Sequence, residues 1–372
     1  MLLLLVSLGA TVLVAETYLR YRHRAWPFEE GIRSMPWLTL KDSNLRWRFP
    51  PKPERNSLGL LGHEIGEKRD DHLRVLFLGD SLVWSGVTSS DDLYTQVIER
   101  HLNDRRIAAG RQVEVINAGV PGYTTYQELE FLKTYGLDMR PDLVVLGFVF
   151  NDVYYKYLHR PTERNMLALE PGALLHRFDT RSFPGALVGS SYLAHELAYA
   201  VQVLARKVRR SPSFPFESKV DFYLAWKEYG WADTIPLIGE LRELLKARGV
   251  PLMIVVFPVS TQVDDKYRSL NREYVLYPQR RIRRICSDHD IPCLDMTEAL
   301  YVKGGTKLYR DYLHLNKQGN DVVAEEVTRY LVEKASLWVS ARWARPGAGS
   351  PRRSRRRREA RSGSGCQHSA LG

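Results

Sequence analysis

The stretch RVLFLGDSLVW (74–84) decides the fold. Its first six residues are short, continuous and apolar after Arg74, as expected of a strand covered on both faces. Gly79 permits a tight exit from that strand. Asp80 and Ser81 then open the next turn, leaving the Ser81 Oγ exposed and its backbone N–H free at the strand's carboxyl end. Alone, Gly-Asp-Ser is a weak signal, because the same residue types build turns and helix N-caps.

Working outward, four more segments share the character of the first: VEVINAG (113–119), DLVVLGF (142–148), PLMIVVFP (251–258) and IPCLDM (291–296). Helical patterns lie between them at 93–103, 126–135, 234–248 and 273–288, and a last one runs from about 318 to 334. Strands alternating with helices through short links predict an α/β fold: a three-layer α/β/α sandwich around a central five-stranded parallel sheet. No internal repeat is evident. Two regions depart from the alternation. Residues 25–70 hold several prolines and glycines and are expected to wrap the surface irregularly. Residues 153–230 are too long for a simple crossover and are rich in Tyr and Trp, with a helix expected at 192–208. An insertion beyond a strand's carboxyl end suits a lid or substrate cap, with an extra packed helix layer as the alternative.

With 26% charged and 44% hydrophobic residues in 372, the chain is neither collagen-like nor wholly disordered. Three cysteines and no C-x-x-C pair or histidine-rich tract exclude a disulfide framework and the usual zinc signatures, so no metal and no cofactor is expected. The net charge of +11 is local: residues 341–372 carry nine arginines against the single acid Glu359. The body is nearly balanced, which argues against specific nucleic-acid binding by the folded domain. Residues 336–372 are expected to be a disordered Arg-rich tail.

At the other end, residues 2–15 (LLLLVSLGATVLVA) are apolar without a break. Fourteen residues is short for a membrane span, which needs about 20. An uncleaved signal-anchor within residues 1–24 is the favoured expectation, over a cleaved signal peptide or a buried helix. Arg20, Arg22 and Arg24 follow the segment, and a literal positive-inside count would leave the body in the cytoplasm. An upstream start would remove both difficulties, so the expectation is a membrane-anchored protein on the extracytoplasmic face.

Four sets of residues with chemical potential fall at the ends of these elements. Ser81 follows the first strand. Asn117-Ala118-Gly119-Val120-Pro121-Gly122 follows the second and suits either a tight turn or a backbone N–H turned toward a ligand. Asn151-Asp152 follows the third, where the amide serves as a cap or as an oxyanion donor. Asp311-Tyr312-Leu313-His314 precedes the last helix. An acid three residues before a histidine can accept from its Nδ1–H, fix the tautomer and leave Nε2 to take a proton from serine. A serine needs such a base, and the developing oxyanion needs two or three donors.

Together, G-D-S at 79–81, N-A-G-V-P-G at 117–122, N-D at 151–152 and D-Y-L-H-L-N-x-x-G at 311–319 closely resemble the SGNH (GDSL-type) hydrolase superfamily, over about 74–331. The resemblance implies a flavodoxin-like SGNH fold over 71–335 and a carboxylic ester hydrolase. It makes Ser81 the nucleophile, His314 the general base and Asp311 its orienter. The oxyanion hole would be the Ser81 and Gly122 N–H groups with the Asn151 amide; Gly119 is a rival for the glycine role. Asp80 and Asp152 become scaffold hydrogen-bonders. One departure stands out: the third block usually reads G-x-N-D, but here Val149 and Phe150 precede Asn151, which is expected to narrow the acyl site or shift Asn151.

The implied substrate is a small-molecule or saccharide ester, with O-acetyl esters foremost. The alternatives are an O-acyltransferase of cell-surface polysaccharide using the same triad, and a silent binding protein of this fold. The membrane is the other expected partner, through the N-terminal apolar segment; the oligomeric state stays open. Cys286 and Cys293 are expected to be buried free thiols rather than a disulfide, and Cys366 to be exposed in the tail. His159, His195 and His289 lack ligand-spaced partners and are expected to be structural. Arg280, Arg281, Arg283 and Arg284 are expected on a solvated helix face.

Overall fold

The computed structural model describes residues 2–24, 40–42, 44–85, 92–108, 111–153 and 223–339, with scattered positions between 191 and 214. The Arg-rich run, Cys366, His159, His195 and most of the 153–230 insertion lie outside the described residues. So does the greater part of the helix expected at 192–208, although positions 193–194, 197, 200–201 and 204 are helical.

Helix α1 spans Leu2–Arg24. Its Glu16 accepts hydrogen bonds from Ser191 Oγ (3.1 Å) and the Leu193 N–H (2.9 Å). The uninterrupted apolar stretch is about 21 Å long at 1.5 Å per residue, well short of a hydrocarbon core of about 30 Å. Among the described residues no helix is long and apolar enough to cross a membrane. The wrap is less irregular than expected. It contains an antiparallel hairpin, β1 (Leu40–Asp42) and β2 (Arg46–Arg48), closed by Asp42 Oδ1, which accepts from the Asn44 (2.9 Å) and Leu45 (2.8 Å) N–H groups.

The body is a five-stranded, wholly parallel sheet of β3 (His72–Gly79), β4 (Gln112–Gly119), β5 (Leu143–Phe148), β6 (Leu252–Val256) and β7 (Cys293–Asp295), in the order β4-β3-β5-β6-β7. Every residue of β5 and β6 is buried, which explains their unbroken apolar sequences. The covering helices are α2 (Ser81–Trp84), α3 (Tyr94–Asp104), α4 (Thr125–Phe131, continued by a π-turn at Leu132–Gly136), α5 (Thr234–Lys246), α6 (Asp265–Val275), α7 (Tyr277–Asp288), α8 (Thr297–Lys303), α9 (Lys317–Glu333) and α10 (Ala335–Trp338). This is the expected α/β sandwich.

Two boundaries differ from the expectation. The helix expected over 273–288 is two helices, α6 and α7, broken at Leu276 (φ −96°, ψ 16°), with Pro278 in the first turn of the second. Proline lacks the N–H that would continue the ladder and suits a helix start. The packed body also runs past 335: Trp338 is fully buried and its Nε1–H donates to the Leu331 carbonyl at 3.2 Å.

The wrap is fastened near the amino end of β3. Lys68 Nζ meets Asp142 in a buried ion pair and donates to the Arg140 carbonyl at 2.9 Å. Arg74 bonds Glu114, the Met139 carbonyl and the Gly66 carbonyl. Residues 223–231, the described end of the insertion and the residue after it, pack into the body. Trp226 and Trp231 are buried, Trp231 against Phe148 (6.0 Å between ring centroids) and Trp226 against Phe150 (5.7 Å).

Candidate active site

The sheet order puts β3 between β4 and β5, with Gly79 in register with Gly119 on one side and Gly147 on the other. These three glycines form a floor. An added Cβ would meet Val83 Cγ2 at 2.2 Å from Gly79 and 2.4 Å from Gly147, and the Trp84 backbone N at 2.3 Å from Gly119. Without side chains beneath it, α2 sits directly on the sheet. Asp80 caps this helix, its Oδ1 accepting the Leu82 N–H at 2.8 Å, and Ser81 occupies the first turn.

The histidine loop reaches the same rim from the far side. Tyr309 pairs with Leu315 in an antiparallel bridge, and the Arg310 N–H donates to the His314 carbonyl at 2.9 Å. The loop is clipped to the end of β6 by the Ser260 N–H on the Tyr312 carbonyl (2.9 Å) and Tyr309 Oη on the Pro258 carbonyl (2.9 Å). Asn316 then caps α9 by accepting the Gly319 N–H at 3.0 Å.

Ser81, His314 and Asp311 thereby converge. His314 Nε2 lies 2.9 Å from Ser81 Oγ, and Nδ1 lies 2.8 Å from Asp311 Oδ2. Asp311 Oδ1 accepts the N–H groups of Leu313 (2.8 Å) and His314 (2.7 Å). Partial burial works to raise the Asp311 pKa, but those two N–H groups and the imidazole outweigh it and hold the carboxyl below its usual range. A carboxylate anchored on Nδ1 leaves Nε2 free to accept the serine proton.

The oxyanion candidates separate by hydrogen-bond accounting. The Gly119 N–H is already committed to Asn117 Oδ1 at 3.0 Å, and the Asn117 amide is a strut to the Val83 carbonyl (2.8 Å) and Thr95 Oγ1 (3.1 Å). Gly122 instead adopts φ +82°, a left-handed conformation that glycine takes without strain, and no acceptor for its N–H is found among the described residues. Asn151 Nδ2 donates to Asp80 Oδ2 at 2.8 Å, so one amide hydrogen is held and the other left over. Asp152 Oδ2 accepts the Val149 N–H at 2.8 Å and closes the turn Phe150–Asp152 that carries Asn151.

The departure at Val149-Phe150 is absorbed away from the site. Val149 is extended (φ −130°, ψ 167°), a conformation open to any residue, and both side chains are fully buried. Phe150, at the variable position of the block, packs on Trp226 of the insertion, and Asn151 keeps its bond to Asp80.

Two features escaped the reading of the sequence. Trp47, from β2, stands beside the oxyanion loop: a Cβ on Gly122 would lie 3.6 Å from its ring, and Tyr123 Oη donates to its carbonyl at 2.6 Å. Glu128, on α4, is buried at 1% exposure. Its helical spacing gave no hint of burial.

Elsewhere, Cys286 and Cys293 are free thiols that bond one another, and that bond with burial pushes the Cys293 thiol up. His289 ends α7 and packs on Gly239. The four arginines of α7 each meet an acid: Arg280 with Glu273, Arg281 with Glu228, Arg283 with Asp295 and Arg284 with Asp288. No group of acids, histidines and cysteines able to hold a metal occurs among the described residues.

Solved structures similar to this chain include an acetyl xylan esterase (15% identity, 70% of this chain and 100% of that one, TM-score 0.42) and the lipase/acylhydrolase from Enterococcus faecalis (15%, 70% and 96%, 0.40). A two-domain esterase active on acetylated mannans is a third (17%, 70% and 49%, 0.38). No curated relative matches. The sequence model of the GDSL-like Lipase/Acylhydrolase family matches residues 77–322, a span that holds Ser81, Asn151 and His314 together. With most of its length inside that match, the chain belongs to the GDSL-like lipase/acylhydrolase family and is a carboxylic ester hydrolase.

Proposed function

We propose that the protein hydrolyses O-acyl esters, foremost acetyl esters of a saccharide, by two-step acyl transfer through Ser81, His314 and Asp311. The observation that carries this reading is the unbroken relay from Ser81 Oγ to His314 Nε2 (2.9 Å) and from Nδ1 to Asp311 (2.8 Å). Ser81 Oγ attacks the ester carbonyl carbon while Nε2 takes its proton. The carbonyl oxygen becomes an oxyanion met by the Ser81 and Gly122 N–H groups and the spare Asn151 amide hydrogen. The C–O bond to the alcohol breaks, and the imidazolium returns its proton to the departing oxygen. Water then attacks the acyl-enzyme, Nε2 again holds the proton, and Ser81 recovers it as the acid leaves.

Two observations favour a saccharide alcohol. Asp311 is half exposed and His314 28% exposed in their side chains, so the reacting atoms are reached from an open rim. Trp47, partly exposed beside Gly122, offers an aromatic face of the kind on which sugar rings stack.

The test is a screen of acetyl, butyryl and long-chain esters and acetylated glycans, with Ser81→Ala as control and a fluorophosphonate probe for the nucleophile. Expected are labelling of the wild type alone and a preference for acetyl groups. An unlabelled wild type would turn the reading toward a silent binding protein. Sugar hydroxyls that compete with water for the acyl-enzyme would make it an acyltransferase with the same residues.

A further inference from the structure

Beneath Asn151 lies a group of acids that the relay does not use. Asp80, Asp152 and Glu128 come from three separate segments, and each is at most 1% exposed. Both carboxyl oxygens of Glu128 and the Oδ1 of Asp152 are buried without a hydrogen-bond partner. The titratable groups acting on Glu128 are Asp152 and Asp80, both acids; His314 acts in turn on Asp80. Among the described residues, the other elements packed on α4 bring no cation inward. From α5, Thr234 reaches the Asp152 carbonyl (3.2 Å), while Glu240 pairs with Lys133 of the π-turn at the exposed surface (2.7 Å).

Buried carboxylates that act on one another in a dry interior, with no cation beside them among the described residues, cannot both stay ionised. The choice of which one holds the proton follows from the donors around them. Asp152 accepts the Val149 N–H, and the Thr125 N–H also favours its charged form. Glu128 accepts nothing. Burial and the facing acids push its carboxyl well up. The proton therefore belongs on Glu128.

We propose that Glu128 is a positioning residue, a neutral carboxylic acid that donates its O–H to Asp152 Oδ1 and so ties the Gly122 loop to the Asn151 turn. The tie follows from the chain: α4 begins three residues after Gly122, its start set by the Thr124–Gln127 capping box, and Asp152 is the neighbour of Asn151. One proton thus holds two oxyanion donors, from different strands, at one spacing. This rests on the ester-hydrolase reading above.

The test compares wild type, Glu128→Gln and Glu128→Leu in three measurements: kcat and KM on p-nitrophenyl acetate, fluorophosphonate labelling, and infrared difference spectra at neutral pH. Gln keeps a donor for Asp152 and should retain most of kcat. Leu has none and should lose roughly 10-fold in kcat, the rate equivalent of about one hydrogen bond, with KM little changed. The wild-type-minus-Gln spectrum should show the carbonyl band of a protonated carboxylic acid. Absence of that band overturns the proposal, as does equal loss of kcat in both variants or in neither. If the Leu variant does not fold, the band and the Gln kinetics decide. Absence of Ser81 labelling in the wild type would sink the hydrolase reading instead, leaving the infrared result to stand alone.

Discussion

In the proposed mechanism the acid at the rim and the buried acids serve one reaction centre from opposite surroundings. Asp311 is half exposed, yet two backbone N–H groups and an imidazole hold it ionised below the usual carboxylate range. Glu128 and Asp152 are both buried, and both carboxyls are pushed well above theirs, chiefly by burial. The number of N–H donors aimed at a carboxylate, set against how much water it has lost, decides its charge. In the proposed mechanism the rim acid must be an anion, because a cation forms next to it when His314 takes the serine proton. The buried pair needs one proton, because among the described residues no cation acts on it.

The sharpest way to break this comparison is at Ser81, where the two regions meet. Ser81→Ala should lower kcat roughly 10⁴- to 10⁶-fold with an unchanged melting temperature, and full turnover would overturn the assignment. Next comes the rim: Asp311→Asn preserves the shape but favours the wrong imidazole tautomer. It should cost on the order of 10³- to 10⁴-fold in kcat, and a loss under tenfold would mean that the backbone alone orients His314. The floor side follows. Asn151→Ala should lower kcat about 10²- to 10³-fold with KM little changed, and an unaltered kcat would remove the amide from the oxyanion hole.

The smallest effect is in stability, and it has opposite sign in the two regions. The depressed Asp311 pKa makes its contribution available above 3.8 and lost only as pH falls through the lower folded value. The stability gap between wild type and Asp311→Asn should therefore hold between pH 7 and about 4 in denaturant melts. The raised Glu128 pKa works the other way: the wild type loses ground to Glu128→Gln as pH climbs above 4.5. Gaps that move with pH in the same direction would erase the distinction.

How legible each region was follows from how far its residues are spread along the chain. Strands such as Leu143–Phe148 and Leu252–Val256 announced themselves because burial on both faces leaves no polar position to confuse the pattern. Asp311 and His314 were legible because their contact is made within four residues. Glu128 was not. On one helix it reads as any surface acid, and its burial arises only when segments near 80, 128 and 152 meet. The hairpin at 40–48 went unseen because three-residue strands carry too little periodicity. The break at Leu276 was signalled by Pro278, and the arginine-rich pattern of the second helix masked it. Trp338 fell outside the expected boundary because the charge of the tail drew attention from the apolar residues just before it.

The glycine floor sets where this enzyme can change. Gly79, Gly119 and Gly147 come from three neighbouring strands at one level, and a single methyl at any of them would strike α2. Lifting α2 by even a methyl's width would carry Ser81 away from the His314 imidazole, whose loop is clipped to the residues that follow β6. New specificities therefore have to be built from the rim, around Trp47 and the open loops beside it, while the ground beneath Ser81 admits no mutation that adds an atom.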